Sequence, residues 1–214
     1  MSTGEESLAC SPGLVPIICI CGPSAAGKTT FAAGLDSQLR AIGRQPLQIA
    51  CDDYYRSGWT PHPKFGYDTV DAIDGDQLRR ELLAARSRQL SDRRTYDMRR
   101  RCVGSRPVDT AYDVIVLEGA YGPQLLLSSV PLAVLVYVED PLLRRLWRRL
   151  LRDVRERQRA PFYVIRQMFQ EMLPGERAFI LPLRQSATVI IRDQTTGVAA
   201  VLSALAHRGL VLDT

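Results

Sequence analysis

Several things are scarce in this sequence. No apolar run approaches the ~20 residues that a membrane-spanning helix requires, so no segment reads as a span. No internal repeat or low-complexity tract interrupts the 214 residues, a length that suits one domain with a sizeable core. The five cysteines are odd in number and lack zinc-like spacing, so reduced, buried thiols are expected rather than a metal centre. Cys19 and Cys21 lie two apart in an apolar run, where a strand would point both to one face. The segment Met1–Ser11 is acidic and polar, without the basic-then-apolar order of a secretory signal. Residues 1–14 are therefore read as a flexible leader, and the protein as cytoplasmic and soluble. Lysine is nearly absent. Arginine supplies almost all of the positive charge behind a formal net of +5.

Five short runs have strand character: Val15–Cys21, Pro46–Cys51, Val114–Leu117, Leu132–Val138 and Thr188–Ile191. Most are continuously apolar, as strands covered on both faces are. Helical patterns fall between them, over Lys28–Ala41, Asp74–Leu90, Pro141–Arg157, Pro161–Leu173 and Gly197–His207. The alternation predicts a three-layer α/β domain over 15–214, with ligands outside the carboxyl ends of its strands. Two spans, about 56–74 and 91–111, are too long for plain connections and read as substrate-binding insertions.

The sharpest motif is Gly22-Pro23-Ser24-Ala25-Ala26-Gly27-Lys28-Thr29, followed by Thr30. It matches G-x-x-x-x-G-K-[ST] at each fixed position, with an apolar strand before it and a helix after. Glycines let backbone N–H groups turn inward around phosphates, and the helix N-terminus adds positive potential. Lys28 can then reach the β- and γ-phosphates, and the Thr29 hydroxyl can hold Mg²⁺. A nucleoside triphosphate, ATP or GTP, with Mg²⁺ is the implied ligand.

Other polar residues fall at strand ends. Asp52, after the second strand, could accept a proton from an attacking hydroxyl, or with Asp53 it could cap a turn. Glu118 stands where a carboxylate would orient Mg²⁺, or is a solvated strand end. Arg144–Arg159 packs eight arginines against Asp153 and Glu156, with Leu146, Leu150, Leu151 and Val154 as an apolar stripe. Arg144 and Arg155 suit a solvated face. A nucleic-acid surface is one reading, but beyond Trp147 there is no aromatic interleaving. A clamp on the transferring phosphoryl group is favoured beside a phosphate loop.

With these islands in order (GPSAAGKTT, DDYY, YDTVDAID, TYDMRRR, VIVLEG, RRLLRDVRERQR and ATVIIRD), the chain resembles the uridine–cytidine kinase branch of the phosphoribulokinase/uridine kinase family of P-loop kinases. The resemblance runs over roughly 17–206. It implies a five-stranded parallel sheet flanked by helices, with a small arginine-rich lid at about 152–161. By resemblance, Asp52 is the catalytic carboxylate, and Thr29, Asp52 and Glu118 are the Mg²⁺-associated positions. Tyr67 and Asp68 form an aromatic–acid pair at a nucleoside, Arg149 partners that acid on the sugar, and Tyr96 lies near the base. Tyr55, closing the DDYY island, belongs with these acceptor residues. Arg152, Arg157 and Arg159 match lid arginines that act with Lys28 on the phosphates.

Two positions depart from the family pattern. Arg101 stands where a histidine usually helps to read the pyrimidine, and a fixed cation suits an anionic or carbonyl-rich group instead. Arg157-Gln158-Arg159 replaces the common Arg-Gly-Arg. The YDTVDAID segment also resembles nicotinamide riboside kinases. The expected activity is therefore phosphoryl transfer to a small-molecule hydroxyl, the 5′-hydroxyl of a nucleoside by default. Another riboside, a pantothenate-like alcohol or a sugar phosphate is the alternative acceptor, and a nucleotide-binding regulator the more distant one. Neither a nucleic-acid nor a membrane partner is expected, and monomer and homo-oligomer both stay open.

Overall fold

The computed structural model describes residues 13–109, 111–155 and 158–210. Arg157 and nearly all of the leader thus lie outside the described residues. At its start the described chain is already tied down, since the Val15 N–H donates to the Arg86 carbonyl at 2.9 Å.

Five strands form one parallel sheet: β1 (Ile17–Cys21), β2 (Pro46–Ala50), β5 (Val114–Glu118), β6 (Val134–Val138) and β7 (Val189–Ile191), ordered β2-β5-β1-β6-β7. All five lie where the sequence places them. The runs of β1, β5 and β6 are unbroken because helices cover both faces, whereas β2 and β7, at the sheet edges, carry exposed residues. Alternation along β1 divides the core. Ile17, Cys19 and Cys21 face a layer with Leu78, Leu82, Ile180 and Leu183, whereas Ile18 and Ile20 face Phe31, Leu35, Leu39, Val201 and Leu205. The paired cysteines do share a face, and burial pushes the Cys21 thiol up to about 12.

Helix α1 (Lys28–Ala41) springs directly from the glycine-rich loop, and α2 (Gly75–Arg86) is capped by Asp74, whose carboxylate accepts the Gln77 N–H. Helix α7 (Gln194–His207) starts three residues before Gly197, because Asp193 caps it through the Thr196 N–H. Helix α3 (Leu142–Arg155) follows β6.

Two segments differ from the sequence expectation. The 91–111 insertion, in which the sequence reads no strand, contains a hairpin of β3 (Asp92–Asp97) and β4 (Cys102–Pro107), antiparallel in register Tyr96↔Val103. Its charged, exposed residues hide the two-residue period. The helix starting at Pro161 does not stop at Leu173. It runs from α4 (Pro161–Gln167) through π turns at Met168–Met172 and Glu176–Ile180, with α5 (Leu173–Gly175) between, to α6 (Leu183–Ser186). Pro174-Gly175 reads as a breaker, but π turns on either side accommodate the proline's missing N–H. Gly175 is needed there for space: a Cβ would strike the Asp68 main-chain carbonyl. Gly175→Ala should therefore destabilise the fold by about 1–3 kcal/mol, read as a lowered urea midpoint; an unchanged midpoint would show that the contact yields freely.

Candidate active site

At the carboxyl ends of β1, β2 and β5 a cavity of about 730 Å³ opens, bounded on its far side by α3 and α4. One wall is the phosphate loop. Gly22, at φ 139°, lies so close to the Val138 carbonyl that no Cβ would fit, and Gly27 takes φ 93°. Ala25 adopts φ 59°, a left-handed turn that costs an alanine energy a glycine would not spend. The loop meets the cavity through Ser24, Ala25, Gly27, Lys28, Thr29 and Thr30, while Pro23 and Ala26 are buried behind. Lys28 Nζ donates to the Pro23 carbonyl at 3.0 Å. Burial pushes the Lys28 ammonium down, and Glu118, Asp52 and Glu176 push it back up.

Glu118, the last residue of β5, accepts the Thr29 hydroxyl at 3.0 and 3.2 Å. Burial raises its carboxyl, with Lys28 opposing. Asp52 projects into the same cavity from the 3-10 turn Cys51–Tyr54. Three hard oxygen donors of this kind, with no soft ligand among them, suit Mg²⁺, which keeps several waters and shares its shell with phosphates. Asp53 has the structural role left open by the sequence. It accepts the Tyr96 N–H at 3.0 Å and pairs with Arg93 at 3.7 Å, fastening the turn to the hairpin.

Away from the loop itself, the cavity is lined by Tyr55, Tyr67, Asp68, Tyr96, Met98, Arg101 and Tyr121. Tyr55 and Tyr96 lie with ring centroids 6.0 Å apart. Arg101 donates to the Tyr67 hydroxyl at 2.6 Å and sits 5.0 Å over its ring, so the cation is aimed by an aromatic and not by a carboxylate. Asp68 is 7% exposed and is met by Arg149 at 3.4 Å.

Helix α3 turns out to bury charge. Its inward residues are Arg145, Arg149 and Asp153, four apart and so on one face, while Leu146, Leu150 and Val154 pack half-buried against Val164, Met168 and Met172. Arg149 reaches Ser24 Oγ at 3.0 Å as well as Asp68. Asp153, fully buried, holds Arg152 at 3.1 Å and Arg159 at 3.5 Å. Both arginines line the cavity, and Gln158, next to Arg159, takes φ 55° where a glycine would be unstrained. Arg144 stays outside on Asp140, Arg148 pairs with the same carboxylate while reaching the rim of the cavity, and Arg155 is exposed. The sequence does not mark Glu176, Arg145, Tyr121 or Gln167 as site residues, because each sits in an ordinary amphipathic context. A buried acid in the i, i+4 file with Arg145 and Arg149 is the one signal it carried. Beside Asp68, Arg149 Nε and the Tyr121 hydroxyl are buried without a hydrogen-bond partner among the described residues.

A loop of this geometry, facing a carboxylate and a ring of arginines across one cavity, defines a P-loop phosphotransferase of the kinase kind. The model of the phosphoribulokinase/uridine kinase family matches residues 17–199, and the chain belongs to that family. A uridine kinase of Halobacterium salinarum is 31% identical over 188 residues, covering 86% of this chain and 82% of that one. Another, of Ureaplasma parvum, is 29% identical over 180 residues, covering 82% and 86%. Among solved structures, a putative fructose transport system kinase from Silicibacter superposes with TM-score 0.67 at 17% identity over 86% and 93% of the two chains. A possible uridine kinase from Bacillus stearothermophilus gives 0.60 at 20% over 87% and 92%. These two share the fold.

The α3 arrangement separates structural from surface arginines. Arg149→Met leaves Asp68 without its buried partner and should cost about 3–5 kcal/mol, whereas Arg148→Ala, on an exposed pair, should stay within about 0.5 kcal/mol. Equal losses for the two in denaturant titration would contradict this assignment.

Proposed function

We propose that the protein transfers the γ-phosphoryl group of ATP to the 5′-hydroxyl of a nucleoside. The observation that carries this is the single cavity joining the phosphate loop to Asp52 and to the Asp68–Arg149 pair. A triphosphate in the loop and a hydroxyl compound against Asp68 would meet between them, at the carboxylate of Asp52.

The chemistry is in-line displacement, for which positioning and charge neutralisation matter more than covalent help. The acceptor hydroxyl gives its proton to Asp52 as its oxygen bonds to the γ-phosphorus, and the bond to the β-phosphate oxygen breaks, releasing ADP. Lys28 and the lid arginines Arg152, Arg157 and Arg159 neutralise the charge spreading over the phosphoryl oxygens. Thr29, Asp52 and Glu118 would hold Mg²⁺, which supplies further neutralisation of the β- and γ-oxygens. Asp68 and Arg149 orient the sugar, and Tyr55, Tyr67 and Tyr96 offer faces to a ring.

Arg101 supports a second reading of the acceptor. Its guanidinium stands over Tyr67 at the ring end of the cavity, without a carboxylate within ion-pair reach among the described residues. A riboside whose ring carries an anionic or carbonyl-rich group would use that cation. A fully neutral, hydrophobic acceptor would waste it.

Release of ADP against uridine, cytidine, nicotinamide riboside and pantothenate tests the proposal directly, and no acceptor-stimulated release with any of them would reject it. With the best acceptor, Asp52→Asn should lower kcat by about 10²–10⁴-fold while nucleotide still binds. Asp68→Ala should act mainly on the acceptor KM, and an unchanged KM would remove Asp68 from the sugar site.

A further inference from the structure

Ser24 is held from three sides. Its N–H donates to Glu176 Oε1 at 2.9 Å, its carbonyl accepts from Arg145 at 3.2 Å, and its hydroxyl accepts from Arg149 at 3.0 Å. Glu176 and Arg145 are themselves joined at 2.9 and 3.0 Å, with only 4% and 7% of their surfaces exposed. Both peptide units around Ser24 are therefore fixed by one buried ion pair. Glu176 comes to this point from a π turn, a widened helical turn that re-aims side chains and often marks functional places.

The next residue explains why the loop needs such holding. Ala25 sits at φ 59°, a conformation that an alanine leaves unless its surroundings over-determine it. An anion beside a phosphate loop is otherwise adverse, because it repels the ligand. Arg145 cancels that charge, leaving the pair's hydrogen-bonding geometry as its contribution.

We infer that Glu176 and Arg145 are positioning residues that preorganise the phosphate loop, by fixing Ser24 so that Ala25 stays left-handed. The inference rests on the reading that this loop binds a nucleoside triphosphate. Without the pair the loop relaxes toward conformations in which its N–H groups no longer converge, and the nucleotide must reorder it on binding.

The test is the affinity of the full chain for Mg²⁺ and the β,γ-imido analogue of ATP, measured by calorimetry. Arg145→Met with Glu176→Leu replaces the pair by apolar side chains of similar size, a change that buried pairs often tolerate without loss of stability. This double variant should melt close to the wild type yet bind the analogue about 10-fold more weakly, the factor set by the cost of a left-handed alanine. Adding Ala25→Gly, which removes that cost, should restore most of the affinity. Should the apolar pair fail to fold, Glu176→Gln, which keeps an oxygen for the Ser24 N–H but breaks the ion pair, carries the same test with a smaller loss and the same rescue. A wild type that binds no analogue overturns the loop reading itself. A wild type that binds, with variants that bind equally well or are not rescued by Ala25→Gly, overturns the positioning role alone.

Discussion

The buried guanidinium of Arg149 is the point on which the two halves of the site depend. One nitrogen donates to Ser24 in the phosphate loop, another to Asp68 in the 56–74 segment, and Asp153 lies beneath at 3.9 Å. A cation so deeply placed is tolerable only with anions around it, and those anions need the cation equally. The arrangement fixes three segments distant in sequence: the β1–α1 loop, the 56–74 segment and helix α3. Arginine suits this better than lysine, because its planar fork spreads donors in several directions from one rigid group.

The same economy is visible on either side. Glu81 accepts from the Tyr54 hydroxyl at 2.7 Å and from the Arg94 N–H at 3.0 Å, while Arg94 reaches the carbonyls of Asp53 and Tyr55. Buried or half-buried charge thus does the joining wherever the sheet's own hydrophobic layers end. The layers make the scaffold, and the ion pairs place the loops on it.

This division explains what was legible in the sequence. The five strands, α1 and the phosphate loop are local: short, mostly apolar runs, a glycine pattern and a lysine suffice to specify them. Asp52 and Glu118 were legible as polar residues at strand ends, Asp68, Tyr67 and Arg149 only through resemblance, and the structure gathers all five around one cavity. What stayed hidden was non-local. Glu176 lies 152 residues from Ser24, and nothing around it hints that a π turn will aim it there. The stripe Leu146, Leu150 and Val154 looks like the inner face of α3, but four-residue spacing of Arg145, Arg149 and Asp153 competes with it, and their mutual neutralisation takes them inside. The β3–β4 hairpin escaped notice because its strands are stabilised at their base by Asp53 and Glu81 and not by an apolar face of their own.

That last feature has a meaning for the diversity of such proteins. The hairpin carries Tyr96 and Arg101 to the far end of the cavity, stands largely in solvent, and is joined to the body by a small set of polar contacts. Substitutions at these positions would change the lining of the cavity without touching the sheet, the phosphate loop or the buried arginines, so under the proposed function the acceptor could vary while the nucleotide side stayed the same.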